Sequence, residues 1–231
     1  MLKTVIFDMD GVLVNTEPLH YEVWKRTFLN HGLAIEYDKY KACIGSTAEY
    51  LLEIIYQNYG VDYRGNSDIR KEAVEVKKEI VEEKGYPMIE GVPEMVKRLY
   101  NSGYTLAVAS SSSEIHIHEA MEKAGIKEYF TVLCSGEKVE NPKPAPDVFL
   151  KAADRLNVRP EECIVFEDSS NGCRAAVCAG MTCIGFNNPD SGDQDLSPSV
   201  KVIERWEEVD EIFLEGISDA PSIVPDRPLL V

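Results

Sequence analysis

The sequence predicts an α/β fold: a doubly wound parallel sheet interrupted by an inserted α-helical cap. Three observations predict it. Short apolar runs of strand length alternate with helical patterns through the second half of the chain. Gly103, Gly125 and Gly180 each stand where one of those helices should stop. Between the first and second apolar runs, residues 16–87 read as helix only, whereas a simple strand-to-strand crossover needs roughly a dozen or more residues.

The first strand is Thr4–Phe7, an apolar run that breaks into Asp8, Asp10 and Gly11. The chain then leaves the core near Asn15. In "NTEPLHYEVWKRTF", Thr16 or Glu17 is the expected N-cap, with Pro18 in the first turn of a helix ending near Asn30. Trp24 is expected in the core. Helices follow at Ala48–Tyr59, entered through the loop Gly45-Ser46-Thr47, and at Ile69–Glu83. The chain returns to the core near Met88. Residues 1–15 and 88–231 form the predicted α/β core, and residues 16–87 the predicted cap.

Beyond Met88 the alternation is regular. Helix Pro93–Asn101 precedes strand Thr105–Ala109, and helix Glu114–Ala124 precedes strand Thr131–Leu133. Helix Pro146–Leu156 leads to strand Cys163–Phe166, and helix Asn171–Ala179 to strand Cys183–Phe186. Val200–Ile203 is a weaker strand candidate. Strands in such an alternation are parallel and covered on both faces. From Gly216 to Val231 the chain has three prolines and no periodicity, and a loosely packed tail is expected.

Composition excludes several roles. The chain has 231 residues, enough for one large domain with an insertion, and 44% are hydrophobic, enough for a packed core. The net charge of −16 would repel nucleic acid and anionic membranes. No stretch reads as a signal peptide or membrane span. A cytoplasmic protein is expected, a monomer or weak homo-oligomer. The six cysteines, Cys43, Cys134, Cys163, Cys173, Cys178 and Cys183, form no CxxC pair and are expected to be reduced core thiols. His116 and His118, two apart on a helix, face different ways, and surface roles are expected for both.

In a doubly wound sheet, ligands bind where the C-terminal ends of the strands open into loops. Asp8, Asp10 and Gly11 lie beyond the first strand, Ser110 to Ser113 beyond the second, and Glu167-Asp168 beyond the fourth. Lys143, in "NPKPAPDVF", precedes the fourth strand. Carboxylates facing one another repel unless a positive group separates them. Mg²⁺ suits hard oxygen ligands together with a substrate phosphate. A carboxylate can attack phosphorus, and a second one can handle the leaving group's proton. Taken singly, each element reads as a helix cap, a solvated turn or a surface lysine; their conjunction points to phosphoryl transfer.

"DMDG" at Asp8–Gly11, "TLAVAS" ending at Ser110, "KPAPDVF" from Lys143 and "VFEDS" with Glu167-Asp168 resemble the four motifs of the haloacid dehalogenase-like hydrolases. The helical insertion resembles the cap of the branch that includes phosphoglycolate phosphatase and β-phosphoglucomutase. The resemblance spans all but the tail and implies a Rossmann-like core and a Mg²⁺ cofactor. It implies Asp8 as nucleophile and metal ligand, and Asp10 as general acid/base with its carbonyl on the metal. Ser110 would hold the phosphoryl oxygens and Lys143 would orient nucleophile and phosphoryl group. Asp168 would be the last metal carboxylate, with Glu167 sharing that duty. His20, Gly45, Ser46, Thr47 and Ser111 are the expected substrate contacts.

The resemblance leaves the reaction open between a phosphatase of a small phosphorylated metabolite, a sugar or polyol phosphate, and a β-phosphoglucomutase-type mutase. A non-catalytic binding protein on this scaffold is a third reading. A mutase must hold a second phosphate with cations. Here the cap loop reads Gly45-Ser46-Thr47-Ala48, and Ser110 is followed by Ser111-Ser112-Ser113-Glu114. The absence of cations there favours the phosphatase. Asn15 departs from the aspartate of many relatives, keeping the polarity and losing the charge.

Overall fold

The computed structural model describes residues 3–44 and 48–218. Six strands, β1 (Thr4–Phe7), β2 (Thr105–Ser110), β3 (Phe130–Ser135), β4 (Cys163–Glu167), β5 (Thr182–Phe186) and β6 (Lys201–Ile203), form one sheet in the order β3-β2-β1-β4-β5-β6. Every pairing is parallel. β1 is central, with Phe7 in register with Val108 on one side and Phe166 on the other. Successive strands run outward from β1 first one way and then the other. That reversal opens a crevice at the C-terminal ends of β1, β2 and β4.

All four β1 residues are buried, and their alternation divides the core. Val5 and Phe7 join a cluster with helices α5 (Val92–Asn101) and α6 (Glu114–Lys123) and with Trp206. Ile6 joins the opposite cluster with α7 (Asp147–Leu156) and α8 (Ser170–Cys178). Gly103, Gly125 and Gly180, just past α5, α6 and α8, have φ of 80°, 66° and 76°. This left-handed geometry turns each helix back toward its strand, and a glycine adopts it without strain.

Between β1 and α5 lie α1 (Thr16–Asn30), the short α2 (Tyr37–Tyr40), α3 (Ala48–Tyr59) and α4 (Ser67–Lys84). They share an apolar cluster of their own, with Phe28, Leu52, Ile55 and Ile69 at its centre. Leu19 and Val23 of α1 and Val76 and Ile80 of α4 pack instead into the sheet-side core. Thus α1 and α4 tie the insertion down. The two crossing points of the chain meet at the Val14–Met88 bridge.

Several details differ from expectation. Thr16 and Glu17 are already helical; Asn15 is the N-cap of α1 and makes no side-chain cap bond, and its Nδ2 donates instead to Asp190. Trp24 is half-buried, stacked on Phe28 at 5.4 Å against both clusters. Cys178 is exposed on the outer side of α8, while the other five cysteines are buried. Helix α9 (Glu211–Ser218) carries order past Gly216, and residues 219–231 lie outside the described residues. His116 is not a free surface residue, because its ring reaches Lys77. Among the described residues no helix is long and apolar enough to cross a membrane.

Candidate active site

The crevice holds a cleft of about 280 Å³ lined by Asp8, Asp10, Ser110, Ser111, Lys143, Glu167 and Asp168, with Thr16, Glu17 and Ile44 from the insertion side. A larger hollow of about 520 Å³ lies beside β3, with His118, Glu122, Lys127 and Arg155 on its walls. Its cations are already engaged: Lys127 pairs with Glu122 and Arg155 donates to the Leu133 carbonyl. The convergence of uncompensated charge is in the smaller cleft.

Asp8 continues β1 by donating its N–H to the Phe166 carbonyl, which fixes the start of the acidic turn against β4. Gly11 then reverses the chain at φ +78°, where a side chain would be strained and would overlap the Asp168 carboxylate. Asp10, partly exposed, accepts from the Ser112 hydroxyl at 2.8 Å and more weakly from that of Ser110 at 3.3 Å. Ser110, at the end of β2, is buried, and its oxygen accepts from the Ser112 N–H.

Lys143 reaches over from the loop before α7. Its ammonium lies 2.6 Å from Asp8 Oδ1 and 2.7 Å from Glu167 Oε1. Glu167 Oε2 accepts from the backbone N–H and the hydroxyl of Ser169. Both Glu167 oxygens are therefore engaged, which suits it to holding Lys143 in place. The Ser191 hydroxyl donates to Asp168, and Asn188 donates to the Gly11 carbonyl.

The charges do not balance. Among the residues that line the cleft, Asp8, Asp10, Glu167 and Asp168 meet a single ammonium, that of Lys143. Burial works against the Lys143 charge, but Asp8 and Glu167 outweigh it and raise its pKa. Desolvation also raises Asp8 well above the usual carboxylate range; Lys143 opposes this, and the three other acids reinforce it. Desolvation followed by the Glu167 charge pushes Asp168 up to about 7. These shifts agree with one another, because each answers a surplus of negative charge in a dry place.

A hard divalent cation fits that surplus. Asp168 makes no ion pair among the described residues, and Lys143 meets only one oxygen of Asp8. No three His, Cys, Asp or Glu among the described residues form a ready cage. The fit is therefore to an ion held by one or two carboxylates with its remaining positions open, the habit of Mg²⁺ rather than of zinc.

Of the other expected contacts, Ser111 lines the cleft, and His20 sits in the first turns of α1, 3.9 Å from Glu17. Desolvation and Lys77 lower the His20 pKa, although two-fifths of the side chain remains exposed and water screens part of the effect. Gly45, Ser46 and Thr47 lie outside the described residues. Sequence reasoning placed Ser112 beyond the second strand but gave it no role, and it missed Ser169 and the loop with Asn188, Asp190 and Ser191. Reading beyond the fifth strand, where "NNPDSGDQD" follows Phe186, would have found that loop.

A family model described as haloacid dehalogenase-like hydrolase matches residues 5–186. The chain is 34% identical over 182 residues to the "Phosphorylated carbohydrates phosphatase" of Thermotoga maritima, covering 78% of this chain and 82% of that protein. It is 28% identical to the fructose-1-phosphate phosphatase YqaB of Escherichia coli, over 78% of this chain and 94% of that one. Among solved structures, a variant of CbbY from Rhodobacter sphaeroides in complex with xylulose-(1,5)bisphosphate superposes with a TM-score of 0.72 at 25% identity, over 90% of this chain and 96% of that one.

Proposed function

The chain belongs to the haloacid dehalogenase-like hydrolase family, and from that premise we propose that it is a Mg²⁺-dependent phosphatase of a small sugar or polyol phosphate. The observation that carries this reading is the position of Lys143 between Asp8 and Glu167, with Asp168 beside them lacking a cation. The names of the relatives support the substrate class, and the size of the cleft suits a small metabolite.

The substrate phosphate enters with Lys143 and Ser110 donating to its oxygens. An oxygen of Asp8 attacks phosphorus, the bond from phosphorus to the ester oxygen breaks, and Asp10 gives its proton to the departing alkoxide. An aspartyl-phosphate on Asp8 results. Asp10, now ionised, takes a proton from water as that water attacks phosphorus, which restores the Asp8 carboxylate and releases phosphate. Asp8 and Asp168, with the Asp10 carbonyl, would hold Mg²⁺, which would supply charge neutralisation for the transferring group. Ser112 orients Asp10 toward the ester oxygen, which leaves the Ser110 hydroxyl free to turn from Asp10 to the phosphate, and Glu167 holds Lys143.

Residues 16–87 act as the cap, with His20 and Ser111 touching the leaving group and the insertion excluding water. The segment Ser111-Ser112-Ser113-Glu114 carries no cation for a second phosphate, which favours hydrolysis over a mutase cycle. Retention of Asp8, Asp10, Lys143 and Asp168 together argues against a binding protein that has lost its chemistry. A screen of sugar and polyol phosphates for released phosphate, with p-nitrophenyl phosphate as general substrate and Asp8→Asn as control, tests the reading. No hydrolysis of any phosphomonoester with Mg²⁺ present would overturn it.

A further inference from the structure

A second cation that the four motifs do not use stands outside the lining of the cleft but close enough to Asp10 to feel its charge. Lys77 lies midway along α4, between the buried Ala73 and Val76 on one side and Ile80 and Val81 on the other. It is half-buried and makes no ion pair with a carboxylate among the described residues. Its ammonium lies 3.0 Å from Nε2 of His116, on α6 of the sheet domain. A lysine ammonium can only donate, so Nε2 is the acceptor and the ring is neutral with its proton on Nδ1.

We propose that His116 is a positioning residue for this phosphatase: its unprotonated Nε2 holds the Lys77 ammonium of the helical insertion on the Asp10 side of the cleft. The inference rests on the phosphatase reading, in which Asp10 serves the leaving group. His116 is well placed for this. Its backbone N–H is capped by the Ser113 hydroxyl at 3.3 Å, one residue beyond the Ser112 that holds Asp10. The ring of Tyr86, where the chain returns to the core, lies 5.7 Å from the imidazole. The turn into α6 thus carries a hydroxyl on Asp10 and α6 itself an acceptor for Lys77, which joins the insertion to the sheet.

The groups around the imidazole set its protonation. Lys77 faces it from α4, Tyr86 from the returning chain, His20 from α1, Asp10 from the turn after β1, and Glu119 from its own helix. Burial and Lys77 lower the His116 pKa, while Asp10 and Glu119 oppose them. A neutral ring at physiological pH accepts from Lys77. A protonated ring has no acceptor and repels the ammonium, so Lys77 is released as pH falls through the His116 pKa.

His116→Gln keeps an acceptor but cannot titrate, His116→Phe removes the acceptor, and Lys77→Met removes the cation. With the sugar phosphate that the wild type turns over fastest, His116→Phe and Lys77→Met should each lose on the order of tenfold to hundredfold in kcat/KM. They should lose less on p-nitrophenyl phosphate, whose leaving group hardly needs the Asp10 proton. His116→Gln should keep most activity and lose the acid-side fall assigned to His116. By NMR, the wild-type His116 should titrate below the ordinary value of about 6.5, and Lys77→Met should move that titration upward. Equal losses on the two substrates, no loss in His116→Phe, or a His116 titration unmoved by Lys77→Met would overturn the positioning role while the phosphatase reading stood. A wild type that hydrolyses no phosphomonoester overturns both, even where the NMR coupling persists.

Discussion

Asn15 Nδ2 donates to Asp190 Oδ2 at 2.7 Å and ties the residue where the chain leaves the sheet to the loop after β5. The other amide atom, Oδ1, is buried and has no partner among the described residues. Asn15→Asp would set a carboxylate against that of Asp190. A loss of about 1–3 kcal/mol is expected, the scale of a buried polar group deprived of its partner. Adding Asp190→Asn should restore most of it. Urea unfolding of the two single variants and the double variant gives the coupling directly, and an additive cycle would mean that the contact contributes nothing.

Asp8→Asn should abolish turnover and leave the fold intact. An amide is a poor nucleophile and a weaker ligand for a hard cation, but it fills the same space beside Lys143. Phosphate release and circular dichroism on the purified variant check this. Substantial remaining activity would remove Asp8 from the role of nucleophile.

Lys143→Met strips the cation from two buried acids. Removing one partner of a buried pair costs about 3–5 kcal/mol, because the remaining charge is left uncompensated. The loss should be measured by denaturant unfolding of metal-free protein near neutral pH. It should shrink as pH falls, because desolvation and the neighbouring acids hold the Asp8 pKa high and protonation relieves the crowding. Phosphatase activity should fall at every pH.

Chelation should stop turnover, Mg²⁺ should restore it and Ca²⁺ should inhibit, since its looser shell admits extra oxygen ligands. The pH dependence of metal binding follows from Asp168. Its pKa stands at about 7, raised from the ordinary 3.8. Between those values the folded protein holds a proton that the unfolded chain has lost. Stability of the metal-free protein should therefore decline as pH rises through that window and level off above it. Mg²⁺ needs the ionised carboxylate, so its thermal stabilisation should be larger at about pH 8 than at about pH 6. An equal shift at both would remove Asp168 from the ligand set.

Asp10→Asn should lose most turnover on an alkyl phosphate, because the alkoxide then leaves without a proton. Phosphoenzyme formation from p-nitrophenyl phosphate should suffer less. Single-turnover measurements on both substrates decide. Equal losses would make Asp10 a residue that positions rather than donates.

Much of the site was legible because the motif acids and Ser110 stand at or just past strand ends, while Lys143 comes from the loop before α7. Apolar runs such as Val5-Ile6-Phe7 and Ile164-Val165-Phe166 announce buried parallel strands, and the fold sends their C-terminal ends to one edge. That logic brought Asp8, Asp10, Ser110 and Asp168 to one edge of the sheet, where they line one cleft. It gave no role to Ser112, whose hydroxyl meets Asp10 only because the chain turns sharply after β2. The N-cap of α1 was expected at Thr16 or Glu17, one or two residues past Asn15, whose tie to Asp190, 175 positions away, no local pattern announces.

The sequence by itself determined the order of strands and helices, the inserted helical segment and the acids beyond the first and fourth strands. These follow from periodicity and from what a strand end can present, which are local properties of the chain. Only the tertiary structure decided that Glu167 spends both oxygens on Lys143 and Ser169, that Ser191 meets Asp168, and that His116 faces Lys77 rather than solvent. Helical period assigns a side chain to a face but does not say which element covers that face. His116 and Lys77 meet across 39 positions because α4 and α6 both pack into the cluster around Val5 and Phe7, and that packing brings the insertion against the sheet.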